Sequence, residues 1–422
     1  MARKKRRRLK KSVKRGCLLI AILPLLFWGG TKAFRFMKTL LEQKHEEPKV
    51  EVAVDQTEMR ERIDSIFRQT LRLDTSTISL EVCDVETGAV IYERNAHRRV
   101  APASCMKLLT AVAAMHYLGI DYSYASLLTC QGSQRGQTFR GRVCLQLADD
   151  PLLESLEPFV DALRRHGISC IEGDLQLQLM RVDTLRAHAS AAAWDIPYNR
   201  LPITLKGQPR IEKDLNYLLA YRGITVSRQP VSDEGASQLL YRHETPLTDV
   251  LAPMLIHSSN IKADALFGHL WRLPNHLPMT DFSEDWWVEP MLSQISEDHE
   301  GFVVNDGSGL SPLNRLSAHF LVELLQYAWQ REPMRHVLID EALATPGHPV
   351  RRGSLRERMS APIFRNHVFV KTGTLTSQAL SSLAGYVLGA DGRWRSFAII
   401  NENSPVAESH IFQDQLCREL VR

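Results

Sequence analysis

The stretch APASCMKLLTAVAAM, residues 101–115, sets Ser104 three positions before Lys107, just where an apolar run begins. Residues three or four apart share one face of a helix, so the hydroxyl and the ammonium can meet. From Leu108 to Met115 only Thr110 is polar, which predicts a helix buried on nearly all sides. A lysine turned inward beside a serine is costly to bury unless it has a partner and a task. The plainer reading makes Ser104 a helix N-cap and Lys107 a solvated side chain. Other motifs along the chain decide between the two.

Two further motifs follow Ser104–Lys107 in order. S-x-N occurs at Ser258–Asn260, and K-T-G at Lys371, Thr372 and Gly373. Chance accounts for about one or two S-x-x-K in such a chain, but only roughly 0.1 K-T-G. A second S-x-x-K, Ser259–Lys262, overlaps S-x-N and reads equally well as a helix cap. The order S-x-x-K, S-x-N, K-T-G is the informative part. A serine hydroxyl needs a base to become a nucleophile, and Lys107 serves if burial and nearby cations keep it partly neutral. Ser258 can relay a proton to a leaving amine, and Asn260 can hold Lys107 and a substrate amide. Lys371 and Thr372 offer a charge-assisted grip on a carboxylate. Gly373 permits close approach of its strand. The backbone N–H groups of Ser104 and Thr374 can form an oxyanion hole.

The chain of 422 residues allows two or three domains. Its net charge of +4 misleads, because residues 1–15 hold ten Lys or Arg and no acid. Without them the body has 42 basic and 48 acidic side chains, which argues against a nucleic-acid surface. Residues 16–30, GCLLIAILPLLFWGG, are uncharged. A basic segment before an apolar run is a membrane anchor or an export signal, and the positive side stays in the cytoplasm. We expect an anchor over residues 16–36, with Thr31–Ala33 the weak cleavage site of the signal alternative. Residues 37–54 read as a polar linker, and the rest lies outside the cytoplasm.

Seven cysteines are scattered, with no CxxC and no metal-ligand spacing. They read as small buried hydrophobes, although a pair such as Cys130 with Cys144 can oxidise in an export compartment. No H-E-x-x-H occurs, and neither a metal nor a cofactor is expected.

Helical periodicity covers residues 55–72, and TISLEVCDVETGAVIYERN reads as a hairpin. Residues 121–244 have the texture of an inserted α+β subdomain, with strands RVCLQLA and IEGDLQLQL around the helix LLESLEPFVDALRRHGI. Helices return in TDVLAPML, SSNIKADALFGHLW and SAHFLVELLQYAW. Strands HVFVKTG, ALSSLAGYVLGA and RWRSFAIIN precede a helix near residues 407–420, with a turn at Asp391–Gly392. Strands from both chain ends under helices predict one α/β core, residues 55–120 and 245–422, interrupted by the insertion. DGSGLS, residues 306–311, reads as a rigid turn at the cleft edge without a catalytic role; DWW, residues 285–287, fits a core or a surface patch.

The stretches APASCMKLLTA, SSNIKADALFGHL, NDGSGLSPLNRLSA and VFVKTGTLTSQALSSLAGYV resemble the D-alanyl-D-alanine carboxypeptidases/endopeptidases of peptidase family S13, the low-molecular-mass class C penicillin-binding proteins. LADDPLL and YLLAYRGI add weaker likeness. The resemblance implies a penicillin-binding-protein/β-lactamase-like transpeptidase fold, an antiparallel sheet between helix layers with the serine on a central helix. It implies peptidoglycan stem peptides as substrates, β-lactams as acylating inhibitors, and a place on the periplasmic face of a bacterial envelope. The interval from Lys107 to Ser258, about 150 residues, is shorter than that family leads one to expect. The rival readings are a β-lactamase or esterase of the same superfamily, and a non-enzymatic wall-binding protein.

Overall fold

The computed structural model describes residues 56–70, 72–179, 201–230, 235–271 and 287–422. The basic tail, the apolar segment, the linker, and Asp285 and Trp286 lie outside them. Among the described residues no helix is long and apolar enough to cross a membrane.

Helix α1 (Gln56–Gln69) is amphipathic and buries Met59, Ile63, Ile66 and Phe67. Strands β1 (Ile78–Asp84) and β2 (Val90–Arg94) form the expected hairpin. Its turn is held by Asp84, whose carboxylate accepts from the Thr87 N–H at 2.9 Å. Helix α2 (Met106–Tyr117) carries the opening stretch, and its residues from Met106 to Met115 are all buried, Lys107 included.

The chain then leaves for a second sheet. Strands β3 (Ser123–Arg135) and β4 (Thr138–Leu147) form a hairpin. Helix α3 (Glu157–Arg165) and strand β5 (Cys170–Leu179) follow. The helix is shorter than its apolar pattern suggests because Pro158 fits only its first turn. Helix α4 (Gln208–Tyr221), strand β6 (Thr225–Arg228) and strand β7 (Gln238–Pro246) complete the unit. The strand order is β6-β5-β4-β3-β7. Ser123 pairs with Pro246, so the excursion leaves and returns at one place. It has its own core, in which Leu128, Val143, Phe159, Ile171 and Ile211 take part.

Helices α5 (Leu247–Ile256), α6 (Asn260–Leu270), α7 (Val288–Ile295) and α8 (Ala318–Trp329) return the chain to the first body. Strands β8 (Val368–Leu375), β9 (Leu380–Leu388) and β10 (Trp394–Asn401) precede the last helix, α9 (Val406–Val421). The first sheet is antiparallel, in the order β2-β1-β10-β9-β8. Residues alternate between its faces. Leu80, Val82, Phe397 and Ile399 meet Ile63 of α1 and Phe412 and Leu416 of α9. Ala384, Tyr386, Ala398 and Ile400 meet the cluster of α2, α5 and α8. The Tyr386 hydroxyl donates to the Leu325 carbonyl at 2.6 Å and pins sheet to helix. This is an antiparallel sheet between helix layers, with α2 central.

None of the six described cysteines is bridged. Cys144 faces Thr129 and Cys130 faces Val143 across the β3–β4 ladder, so the two thiols lie on opposite faces and cannot pair. Trp287 is fully buried in the core, beside Phe267 and Tyr117.

Candidate active site

Ser104 sits in a single tight turn, Ala103–Cys105, that runs straight into α2. Ala103 has φ 46°, a left-handed conformation that is strained for a residue with a Cβ. The surroundings enforce it. Gly309 packs so closely that a Cβ there would lie 1.8 Å from the Ala103 carbonyl oxygen. The Ser382 hydroxyl donates to the Pro102 carbonyl at 2.7 Å, and the Cys105 thiol donates to the Lys371 carbonyl at 3.3 Å. The serine turn is thus tied to β8 and β9.

Lys107 is fully buried. Its Nζ lies 3.0 Å from Ser104 Oγ, 2.7 Å from Asn260 Oδ1 and 2.6 Å from the Ser308 carbonyl. Three acceptors match the three donors of an ammonium. Deprotonated, the same nitrogen offers its lone pair to the Ser104 hydroxyl at the same distance.

Ser258 is the middle residue of the link between α5 and α6, with φ 58°, and its Oγ accepts from Lys371 Nζ at 2.8 Å. Ser259 caps α6, its Oγ accepting from the Lys262 N–H at 3.4 Å. The second S-x-x-K is therefore a helix start. Asn260, the first residue of α6, reaches Lys107 across 153 residues of chain.

Lys371 is also fully buried and donates to its neighbour's carbonyl, Thr372, at 2.7 Å. Burial first, and the charge of Lys107 second, push its pKa down to about 7. The Thr372 hydroxyl donates to Ser354 Oγ at 2.6 Å. A Cβ on Gly373 would stand 2.2 Å from Ser382 Oγ and 2.8 Å from the Ser104 nitrogen. Only glycine lets β8 run this close to the serine turn. Thr374, the next residue of β8, is exposed.

Two contributors are given no role by the sequence. The carbonyls of Ser308 and Gly307 accept from Lys107 Nζ and from Thr110 Oγ1, the latter at 2.7 Å. The turn that presents them is braced by Asp306, whose carboxylate accepts from the Gly309 and Ser311 N–H groups at 2.6 Å each and from Asn314 Nδ2 at 3.0 Å. DGSGLS is a braced turn that also supplies a wall of the site. Ser354 is the second contributor.

A buried lysine against a serine at a helix start, with a second lysine on the facing edge strand, defines the class: a serine acyl-transfer site on a penicillin-binding-protein/β-lactamase-like fold. The D-Ala-D-Ala carboxypeptidase 3 (S13) family matches residues 59–196 and 206–419, and the chain belongs to that family. The D-alanyl-D-alanine carboxypeptidase of Actinomadura sp. (strain R39) is 25% identical over 471 residues, covering 86% of this chain and 85% of that protein. Penicillin binding protein 4 (dacB) from Haemophilus influenzae, solved with a β-lactam, superposes with a TM-score of 0.62 at 20% identity, over 85% of this chain and 99% of that one. A predatory peptidoglycan endopeptidase from Bdellovibrio bacteriovorus superposes with a TM-score of 0.57 at 15% identity, over 81% and 92%.

Proposed function

We propose that Ser104 is the nucleophile and Lys107 its base. As a member of the S13 family the chain is a serine-type D-Ala-D-Ala carboxypeptidase. Ser104 Oγ attacks the carbonyl of the penultimate D-alanine while its proton passes to Lys107. The oxyanion is received by the N–H groups of Ser104 and Thr374. The proton then moves through Ser258 to the departing D-alanine nitrogen, the peptide C–N bond breaks, and an ester on Ser104 remains. Water hydrolyses that ester and returns the hydroxyl. Asn260 holds the substrate amide, and Lys371, Thr372 and Gly373 receive the terminal carboxylate. A β-lactam places a cyclic amide at the same point and acylates the same oxygen.

One juxtaposition carries this reading: Lys107 Nζ is 3.0 Å from Ser104 Oγ and 2.7 Å from Asn260 Oδ1, which joins two motifs distant in sequence. The sheet order and the paired ends Ser123 and Pro246 support a division into a catalytic body, residues 55–120 and 245–422, and an inserted subdomain, residues 121–244. Residues 16–36 tether the enzyme to the membrane, with the catalytic body on the peptidoglycan side. Digestion of purified peptidoglycan tests the activity. Release of D-alanine or cleavage of cross-links by the native protein, lost in Ser104→Ala, is expected. Rapid turnover of penicillin without either product identifies a β-lactamase instead.

A further inference from the structure

Behind the Lys107 cradle lies a carboxyl that the reaction above does not use. Asp264 follows Asn260 by four residues on α6, so it leaves the same helix face one turn further in. It is buried, and its Oδ1 has no hydrogen-bond partner. Ser308 links it to the reaction. The Ser308 carbonyl accepts from Lys107, while its hydroxyl and N–H face the Asp264 carboxyl and favour the anion. The charged groups around Asp264 are Lys107 on α2 and Asp306 on the 305–314 turn. Asp306 is committed to bracing that turn. Among the described residues Asp264 has only Ser308 to donate to it, and its Oδ1 is left without a donor.

We propose that Asp264 is a positioning residue that sets the protonation of Lys107 and through it the reactivity of Ser104. Ionised, it holds Lys107 as the ammonium. Protonated, it withdraws that stabilisation and leaves the amine free to take the Ser104 proton. Burial first, and the charge of Asp306 second, raise the Asp264 pKa, against the pull of Lys107 and Ser308. This inference rests on the Ser104–Lys107 reading given above.

The test is the pH profile of penicillin acylation between pH 5 and 10, with melting temperatures recorded alongside. In the native protein the rate rises as Lys107 loses its proton. Asp264→Asn removes the anion that delays that loss, so the rising limb should move to lower pH by about one unit. Ser308→Ala keeps the carbonyl but removes a hydroxyl that favours the Asp264 anion, so the limb should move the same way by less. If Asp264→Asn does not fold, Ser308→Ala decides alone. A lowered rate with an unmoved limb means a purely structural role and overturns the proposal, as does a shift to higher pH. A native protein that penicillin does not acylate overturns the reading of the site and this inference with it.

Discussion

Lys107 and Lys371 are both fully buried, and each reaches a serine of the site, Ser104 at 3.0 Å and Ser258 at 2.8 Å. Burial first, and the charge of Lys107 second, bring the pKa of Lys371 down to about 7. In the proposed reaction Lys371, which donates to Ser258, touches the proton path as well as the carboxylate of the substrate.

That coupling has a pH signature. Only the ammonium form of Lys371 grips a carboxylate, and in the free protein that form is lost as pH rises through about 7. We predict that kcat/KM for a free-acid substrate, divided by that for its C-terminal amide, falls above pH 7 and approaches tenfold per unit. Taking the ratio cancels the titration of Lys107. Lys371→Ala should lower kcat/KM on the free acid by about 10- to 150-fold and slow the amide far less. Equal losses on both substrates would assign Lys371 to the Ser258 proton path instead.

Ser104→Ala should abolish covalent penicillin labelling. Ser259→Ala should leave it measurable and cost about 1 kcal/mol of stability, because Ser259 Oγ caps α6. Gel detection of a labelled penicillin and urea melts read both effects. Labelling that survives Ser104→Ala would discard the nucleophile.

Gly373→Ala should slow acylation by about 100-fold or more while the protein still folds. The added methyl meets Ser382 Oγ and the Ser104 nitrogen, so β8 and the serine turn must separate. A near-native acylation rate would show that this closeness is not required.

His319 provides a stability test remote from the chemistry. Its ring lies 3.3 Å from Glu323 and 2.8 Å from Glu81, and these two carboxylates raise its pKa to about 10. The folded protein thus holds a proton that the unfolded chain releases near pH 6.5. The stability this confers is complete below pH 6.5 and is lost as pH rises through about 10. Urea unfolding at pH 6, 8 and 10 should show the advantage of the native protein over His319→Gln shrinking steadily. A pH-independent difference would contradict the ion pairs.

Full-length protein should stay with membranes through a high-salt wash, and deletion of residues 1–36 should release it. A native N-terminus near Ala33 would indicate cleavage.

The three motifs and their order are legible in the sequence because serine, lysine and asparagine side chains are themselves the reagents of the proposed reaction. The central helix is legible from Leu108–Met115, and the strands of the first sheet from their apolar runs. Strand β3 is not, because its outer end, Gly132–Arg135, is exposed and lacks the apolar alternation of its first half. The Ser308 carbonyl is invisible in the sequence for a different reason: every residue has one, and only the Asp306-braced turn aims it at Lys107. Ser354 is one serine among many until Thr372 meets it. The Cys130–Cys144 pairing fails on strand register, which residue spacing does not encode. The residue types able to do the chemistry are thus a property of the sequence. The lowered pKa of Lys371 and the closure of the Lys107 cradle belong to the tertiary structure, since desolvation and charge repulsion exist only once distant segments are buried side by side.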